Sequence, residues 1–261
     1  MKLTFLGTGT SFGVPQIGCD CAVCRSTDPR DKRTRVGALV EASGTSLLID
    51  TPTELRLQLV SCDVHRVDAV LFTHDHADHT HGLDDIRALS EQHGAPLPVY
   101  GPAATLSTLA RKFPYIFDQS VRPLPGTTKP EGVAHVLEAG HRLQIGSLEV
   151  TPFAVPHGPT DVFGYRIGPL GYVTDAKELP DDAFAILRDD GGVRVLVLNA
   201  LLRREHPTHL SVAEAVDTAR RIGAERTYLT HLTHENAHAA LEAELPDGVF
   251  PAFDGLQVMV A

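Results

Sequence analysis

A histidine-rich loop constrains the fold of this chain more than any other feature of its sequence. The loop, Thr73-His74-Asp75-His76-Ala77-Asp78-His79, follows the apolar run 69–72, which is short and bounded like a buried strand. Imidazole and carboxylate groups are ligands for zinc-like ions. His74 and His76 are two residues apart, so extended backbone points both side chains the same way. The aspartate and histidine that end the loop lie beyond the bend, where they can face a second ion.

Three more strand-like segments end in a histidine or an aspartate. They are 148–155, 170–174 and 226–229, followed by His157, Asp175 and His231. In α/β folds the loops at strand ends converge on one edge of the sheet. We therefore expect these side chains to meet the histidine-rich loop at one site.

A second group of metal-ligand residues lies near the start of the chain. Cys19-Asp20-Cys21-Ala22-Val23-Cys24 places three thiols on one short loop, and thiolates select zinc. Structural zinc is almost always four-coordinate, so a fourth ligand is expected from elsewhere in the chain. The clustering favours metal binding in a reducing compartment over a disulfide framework, whereas Cys62 stands apart as a small apolar residue.

Length and composition narrow the class of protein. With 261 residues, 43% of them hydrophobic, the chain fits one large α/β domain, 1–261, better than two small ones. The formal net charge of −10 disfavours non-specific nucleic-acid binding, which depends on clustered Lys and Arg. No apolar run approaches the roughly 18 residues that a membrane span requires, and no basic-then-apolar leader opens the chain. A cytoplasmic location without a membrane partner is the expectation.

Hydrophobic periodicity predicts strands and helices along the chain. Strands are expected at 3–6, 35–41, 46–50, 69–72, 99–102, 148–155, 163–167, 170–174, 193–198 and 226–229. Helices are expected at 52–60, 81–91, 103–113 and 212–222. The segment 114–135, with four prolines and little periodicity, is predicted to be a long loop covering the site.

The H-x-H-x-D-H pattern resembles the signature of the metallo-β-lactamase fold superfamily. The resemblance implies an α/β fold, a four-layer αββα sandwich with a dinuclear metal site at one edge. It also implies two active-site ions, zinc or manganese. One ion would be held by His74, His76 and His157, the other by Asp78, His79 and His231, and Asp175 would bridge them.

The cysteine loop and His234, three residues after His231, resemble one branch of that superfamily, the PhnP-type phosphodiesterases. In that branch the equivalent residues hold a structural zinc, which implies Cys19, Cys21, Cys24 and His234 as its ligands here. The resemblance implies hydrolysis of a small cyclic phosphodiester, phosphoribosyl 1,2-cyclic phosphate or a 2′,3′-cyclic nucleotide, by attack of a metal-bridging hydroxide. It also implies a homodimer.

Two residues are implied as catalytic in this reaction. Asp78, together with Asp175, would orient the attacking hydroxide beside the metal ions. His209, in the His-Leu-Ser sequence before the predicted helix 212–222, resembles the histidine that acts near the leaving group in tRNase Z and PhnP-type enzymes. Protonated His209 would donate to the departing alkoxide. His206 is the competing assignment, although the proline after it indicates a turn.

Two other functions remain open at this point. A tRNase Z-like endoribonuclease would need a basic arm to grip RNA, and the segment 114–135 has only Arg122 and Lys129 as basic residues. A non-catalytic carrier of the pyrroloquinoline quinone protein B type shares such a cysteine loop. That type tends to depart from the full dinuclear ligand set, which this sequence keeps.

Overall fold

Two β-sheets pack face to face in the computed structural model, which describes residues 1–260. Over that range the first sheet has seven strands, in the spatial order β14 (Gln257–Met259), β1 (Lys2–Gly7), β2 (Gly37–Ala42), β3 (Thr45–Ile49), β4 (Ala69–Leu71), β5 (Leu97–Pro102) and β6 (Gly132–Leu137). The second sheet, over the same residues, has the order β13 (Val249–Pro251), β12 (Arg226–Thr230), β11 (Val195–Asn199), β10 (Leu170–Val173), β9 (Thr160–Ile167), β8 (Leu148–His157) and β7 (Leu143–Ile145).

Helices cover the outer faces of the two sheets. They are α1 (Leu55–Ser61), α2 (Ala77–Thr80), α3 (Ile86–His93), α4 (Ala103–Lys112), α5 (Pro114–Phe117), α6 (Asp181–Arg188), α7 (Val212–Ile222) and α8 (His238–Glu244), with 3-10 turns at Pro29–Asp31 and Leu83–Asp85. None of the helices between residues 1 and 260 is long and apolar enough to cross a bilayer.

Three hydrophobic cores separate four layers within the described residues. In β3, Leu47 and Ile49 face the core between the sheets, whereas Leu48 faces the helical layer. In β11, Val197 faces the central core and Leu198 the helices. Because alternate residues of a strand point to opposite faces, both sets are buried and such strands read as continuous apolar runs. The four layers confirm the predicted αββα sandwich.

The strand directions bring the predicted site residues to one edge. β3 pairs in parallel with β4, β10 with β11, and β11 with β12. β8 and β10 both run antiparallel to β9, so these two strands share one direction. Within each sheet, the loops that follow these strands therefore emerge at the same edge.

Hydrogen bonds join the two sheets where the histidine-rich loop begins. The N–H of Phe163, in β9, donates to the carbonyl of Thr73 (2.9 Å). The hydroxyl of Tyr165, also in β9, donates to the carbonyl of Phe72 (2.5 Å). The second sheet thus holds the backbone of a loop that the first sheet supplies.

The prediction of a loop over 114–135 is partly wrong. α5 occupies its first residues, and β6 begins at Gly132 and pairs in parallel with β5. The four central residues of β6 are exposed, so this edge strand lacks the apolar alternation that identifies a strand in sequence. The short elements α6, α8, β7, β13 and β14 were also missed. The assignment of residues 1–261 to one domain stays a prediction.

The predicted helix 81–91 also differs, since a 3-10 turn, Leu83–Asp85, precedes α3. Gly82 explains the late start of the α-helix. Its N–H donates to the carbonyl of Thr51 (2.8 Å). A Cβ at this position would lie 2.0 Å from the carbonyl oxygen of Pro52, so only glycine fits this contact.

We expect Tyr165→Phe to lower the free energy of unfolding by about 1–3 kcal/mol. Tyr165 is fully buried, and the substitution removes the hydrogen-bond donor to the carbonyl of Phe72. Urea denaturation measures the change. Tyr172→Phe is the matched control, because the buried Tyr172 hydroxyl has no hydrogen-bond partner among residues 1–260. Equal losses in the two variants would contradict this expectation.

Candidate metal centre and active site

The first histidines of the histidine-rich loop meet two residues from the second sheet. His74 Nε2 lies 2.9 Å from His76 Nδ1. The ring centroid of His157 lies 5.5 Å from that of His74 and 5.2 Å from that of His76. One ligand atom from each of these three histidines and one from Asp175 lie within 4.8 Å of one another. The structure therefore brings together the residues predicted for the first ion and the predicted bridging aspartate.

The other predicted ligands form a second group beside the first. Asp78, His79 and His231 place one ligand atom each within 4.8 Å of one another. Asp175 also faces this group, with Oδ1 3.4 Å from His79 Nε2 and Oδ2 3.4 Å from His231 Nε2. Asp175 thus lies between the two groups, where a bridging ligand would have to lie. We call the seven residues of both groups the ligand cluster.

Buried nitrogen atoms of the ligand cluster lack partners. Among residues 1–260, His79 Nε2 and both ring nitrogens of His231 are buried without a hydrogen bond. Unpaired buried polar atoms are costly, and a metal ion would supply the missing partner. Imidazole and carboxylate donors together suit zinc, manganese or iron. The residues present therefore fit a pair of divalent ions, whose identity and number stay predictions.

A buried carboxylate that the sequence analysis missed orients both groups. Asp50 Oδ2 accepts hydrogen bonds from His79 Nδ1 (2.8 Å) and from Thr73 Oγ1 (2.9 Å). Thr73 Oγ1 in turn accepts a hydrogen bond from His74 Nδ1 (2.9 Å). In both His74 and His79, these contacts assign a proton to Nδ1 and leave Nε2 to face the ligand cluster.

The sequence carried a signal for Asp50, but not for the support of His157. Asp50 directly follows β3, so the rule that selected Asp175 at a strand end selects this residue as well. His157 Nδ1 donates to the carbonyl of Thr208 (3.0 Å), a residue about fifty positions away in the chain. No spacing rule predicts such a contact between distant loops.

Residues of the site adopt left-handed backbone at three strand ends. The φ angle is +62° at Asp50, +56° at Asp175 and +57° at His231. A non-glycine residue in this region costs on the order of 1 kcal/mol or more. Beside Asp175, the buried Asn199 side chain supports the turn, accepting from the N–H of Ala176 (2.8 Å) and donating to its carbonyl (3.1 Å). The surrounding structure therefore maintains a strained geometry at the point where the ligands converge.

Opposite charges within the ligand cluster outweigh the effect of burial on the pKa values of His79 and Asp175. Burial opposes protonation of His79, but the carboxylates of Asp175, Asp50 and Asp78 outweigh it and raise the pKa of His79 well above its ordinary value. Burial alone would raise the pKa of Asp175, but His231 and His79 hold it well below its ordinary value. The charges of His79 and of its carboxylate neighbours thus stabilise one another. Binding a metal ion would release the protons held on its imidazole ligands.

His209 lies against the central aspartate of the cluster. Its Nε2 is 3.1 Å from Asp175 Oδ2, and its Nδ1 is 2.8 Å from Thr208 Oγ1. Burial lowers the pKa of His209, and the hydrogen bond to Asp175 opposes this shift. His206 reaches the other edge of the ring, with its Nδ1 3.3 Å from His209 Nδ1. His209 thus contacts the ligand cluster through Asp175, whereas His206 contacts His209; the catalytic role of His209 stays a prediction.

A cavity of about 590 Å³ opens onto the ligand cluster. It is lined by His76, Asp78, His157, Asp175, His209 and His231, and by residues of the loop after β1 and of the segment 201–208. No residue of 118–131 lines this cavity. The prediction that this segment covers the site is therefore wrong, because α5 and β6 hold its two ends at the outer edge of the first sheet.

The structure brings the cysteine loop and His234 together. His234 Nδ1 lies 3.2 Å from Cys19 Sγ and 3.5 Å from the Sγ atoms of Cys21 and Cys24. Three sulfurs and one nitrogen at these separations fit around a tetrahedral zinc ion. The N–H of Gln16 donates to Cys24 Sγ (3.3 Å), as zinc-bound thiolates require. The assignment of these four side chains to a structural zinc stays a prediction.

The cysteine site links the start of the chain to the ligand cluster. His234 follows His231 by three residues, so one turn serves both sites. The loop that forms one wall of the cavity is therefore anchored beside the turn that carries His231.

Two thiols of the cysteine site differ in acidity. The N–H of Cys24 donates to Cys21 Sγ and lowers the pKa of the Cys21 thiol to about 6. Burial raises the pKa of the Cys24 thiol to about 11.

We expect Asp50→Asn to weaken the binding of active-site ions by about 10–100-fold. The amide nitrogen of asparagine must replace one of the two acceptor oxygens, so the variant loses either the hydrogen bonds from His79 Nδ1 and Thr73 Oγ1 or the one from the Thr73 N–H. Titration of metal-free protein with zinc against a chromophoric chelator measures the affinity. Thr73→Ser keeps the hydroxyl and serves as the control with near wild-type affinity. A folded Asp50→Asn protein that binds ions as tightly as wild type would refute the role of this carboxylate.

We expect Cys24→Ser to lose a zinc ion and to lower the melting temperature, since the cysteine loop loses its anchor. Metal analysis and thermal unfolding measure the two effects. Cys62→Ser is the matched control, because Cys62 lies in the helical layer of the first sheet and makes no contact with the cysteine site. The same metal content in both variants would rule out zinc at the cysteine loop.

Comparison with known proteins places this geometry in a family. Residues 45–232 match the beta-lactamase superfamily domain. A diphosphatase from the PhnP family, known from a crystal structure, is 38% identical in sequence to this chain. The structural match covers 99% of this chain and 97% of that chain, with a TM-score of 0.89.

Two sequence relatives extend the comparison. The octanoyltransferase of Porphyromonas gingivalis is 36% identical over 100% of this chain, which spans 52% of that protein, about half its length. The ribonuclease Z of Methanopyrus kandleri is 29% identical over 100% of this chain and 98% of its own length. The chain belongs to the beta-lactamase superfamily, in the PhnP-type branch of its metal-dependent hydrolases.

Proposed function

We propose that this chain is a metal-dependent phosphodiesterase that opens a small cyclic phosphodiester, phosphoribosyl 1,2-cyclic phosphate or a 2′,3′-cyclic nucleotide. One observation carries the proposal: His209 Nε2 lies 3.1 Å from Asp175, and both residues line the cavity at the ligand cluster. This arrangement offers a proton donor beside the groups that would hold the ions. The 38% identity with a PhnP-family diphosphatase supports chemistry at phosphorus.

The ligand cluster divides into two groups and one shared residue. We assign His74, His76 and His157 to one ion, Asp78, His79 and His231 to the other, and Asp175 to both. The unpaired buried nitrogens of the second group support this assignment. When bound, zinc or manganese ions would polarise the phosphoryl group and lower the pKa of a bound water. We likewise assign a structural zinc to Cys19, Cys21, Cys24 and His234.

Ring opening requires a proton at one defined place. Water adds to phosphorus, the bond from phosphorus to one ring oxygen breaks, and that oxygen takes a proton to become a hydroxyl group. Protonated His209 supplies this proton to the ring oxygen, and the hydroxyl of Thr208, 2.8 Å from Nδ1, fixes the orientation of its ring. Asp78 lines the same cavity and orients the attacking water. The proton that this water loses restores His209, and the product is a phosphate monoester.

RNA is a weaker candidate substrate. The 29% identity with a ribonuclease Z favours it. An RNA-binding arm requires exposed basic residues, and the segment 114–135 contributes only Arg122 and Lys129. The Lys129 side chain is 8% exposed, and its Nζ donates to the carbonyl of Tyr115 (2.9 Å). A non-catalytic carrier is a weaker candidate still, because such a protein would not need the complete ligand cluster.

A diphosphate is the second candidate substrate, favoured by the name of the PhnP-family relative. Cleavage of a P–O–P bond needs the same attack on phosphorus. Its leaving group is a phosphate, which departs without taking a proton, whereas a ring opening releases a strongly basic alkoxide. Dependence on His209 therefore separates the two reactions.

We further propose a cytoplasmic homodimer. Cys19, Cys21, Cys24 and Cys62 are all free thiols, which fits a reducing compartment. The dimer follows from the family resemblance, and size-exclusion chromatography with light scattering tests it.

We expect the metal-loaded protein to open one of the two cyclic phosphates, and His209→Ala to lower kcat by about 100–10,000-fold without loss of metal. Phosphorus NMR follows the ring opening. His206→Ala is the matched control with a smaller loss, because His206 lines the cavity but contacts His209 rather than the ligand cluster. Full metal occupancy without turnover of either cyclic phosphate would contradict the proposal. Turnover of a nucleoside diphosphate that is indifferent to His209→Ala would favour the second candidate.

A further inference from the structure

The cavity is much larger than a cyclic phosphate requires. Its volume of about 590 Å³ lies among pockets of roughly 300–1,000 Å³ that enclose whole small-molecule ligands. The ligand cluster forms one wall. The remaining walls come from Thr10 to Gly13, from Leu201 and Leu202, and from the pair Arg204 and Glu235. These walls must contact the part of the substrate that lies beyond the phosphate.

An exposed aromatic ring stands on one of these walls. Phe12 lines the cavity, yet the residue is 64% exposed. The backbone on both sides of it is fixed: the N–H of Thr10 donates to the carbonyl of Leu232 (3.3 Å), and the N–H of Val14 donates to the carbonyl of Arg33 (2.8 Å). The loop thus presents an apolar face to the cavity from a well-supported position.

The charge on the same walls is balanced. Among the described residues that line the cavity, Arg204 is the sole Lys or Arg. Its Nη1 donates to both carboxylate oxygens of Glu235, at 2.9 and 2.7 Å. A phosphoribosyl substrate carries a second phosphate, and the Lys or Arg side chain that could meet it in this cavity is Arg204, whose Nη1 is already paired with Glu235. A nucleoside carries a neutral sugar and base, which the neutral walls accommodate without desolvating a charge.

We propose that Phe12 forms a stacking subsite for the base of a 2′,3′-cyclic nucleotide. The inference rests on the proposed function and selects one of its two cyclic substrates. Every nucleobase offers a flat π-face, and an aromatic side chain stacks on it with little dependence on sequence. Thr10, Gly13 and Leu201 line the same cavity and would bound this subsite.

Comparison of substrates with and without a base tests the subsite. Phe12→Ala is expected to lower kcat/KM for 2′,3′-cyclic AMP by about tenfold, mainly through KM. It should leave kcat/KM for glycerol 1,2-cyclic phosphate unchanged, since that substrate has the same ring without a base. Phe12→Tyr should restore the lost activity. Equal effects on both substrates, or no effect on either, overturn the subsite while the proposed function stands.

Ile17→Ala is the matched control. Ile17 is an apolar residue of the same loop region, 95% exposed, and does not line the cavity. Its removal should change neither substrate. A loss for cyclic AMP equal to that of Phe12→Ala would attribute the effect to the loop in general and overturn the subsite.

Binding of adenosine 3′-monophosphate separates the subsite from the proposed function. In proton NMR, stacking on Phe12 should shift the base protons H2 and H8 upfield in wild type and in Ile17→Ala but not in Phe12→Ala. If no cyclic phosphate is hydrolysed, the proposed function fails, yet this shift still reports on the subsite. The same spectra in wild type and Phe12→Ala would overturn the subsite whatever the activity.

The ion pair of Arg204 and Glu235 provides a second test, in which activity is expected to rise. Glu235→Gln frees Arg204, so kcat/KM for phosphoribosyl 1,2-cyclic phosphate should rise by about two- to fivefold relative to 2′,3′-cyclic AMP. A wild-type preference for the phosphoribosyl substrate, unchanged in Glu235→Gln, would overturn the choice of substrate.

Discussion

The site depends on one buried carboxylate, that of Asp50. It binds His79 directly and His74 through the hydroxyl of Thr73, so a single group orients ligands in both halves of the cluster. A buried charge is tolerated only when its hydrogen bonds are complete, and here the N–H of Thr73 supplies one more (2.9 Å). The geometry of the two halves is therefore coupled: turning His79 removes a hydrogen bond from the carboxylate itself, and turning His74 removes one from the Thr73 hydroxyl that the carboxylate holds.

Packing of the two sheets makes the cluster possible. The first sheet supplies Asp50 and the histidine-rich loop, and the second supplies His157, Asp175 and His231. The central core holds the sheets together, and the hydrogen bonds from Phe163 and Tyr165 hold the loop itself. Half of the ligand cluster would be too few donors to hold two ions. The chemistry thus depends on an interface within the chain, not on one local motif.

The residues that line the cavity are of two chemical kinds. One wall carries the histidines and carboxylates that would hold ions, together with His209 against Asp175. Other lining residues, among them Thr10 to Gly13, Leu201 and Leu202, are apolar or uncharged, and Arg204 is paired with Glu235. The cysteine site lies beside His231, because His234 contacts the cysteine loop and follows His231 by three residues, so one turn contributes to both clusters.

The sequence by itself predicted the architecture, through its resemblance to the metallo-β-lactamase fold superfamily, and it predicted which residues meet at one edge. Continuous apolar runs predicted buried strands, and His74, His157, Asp175 and His231 at strand ends predicted one converging edge, because strand direction fixes where loops emerge. Tertiary structure alone decided the rest. The partner of His209, the inward turn of Lys129 and the edge strand β6 all depend on contacts between distant segments, which no local periodicity encodes.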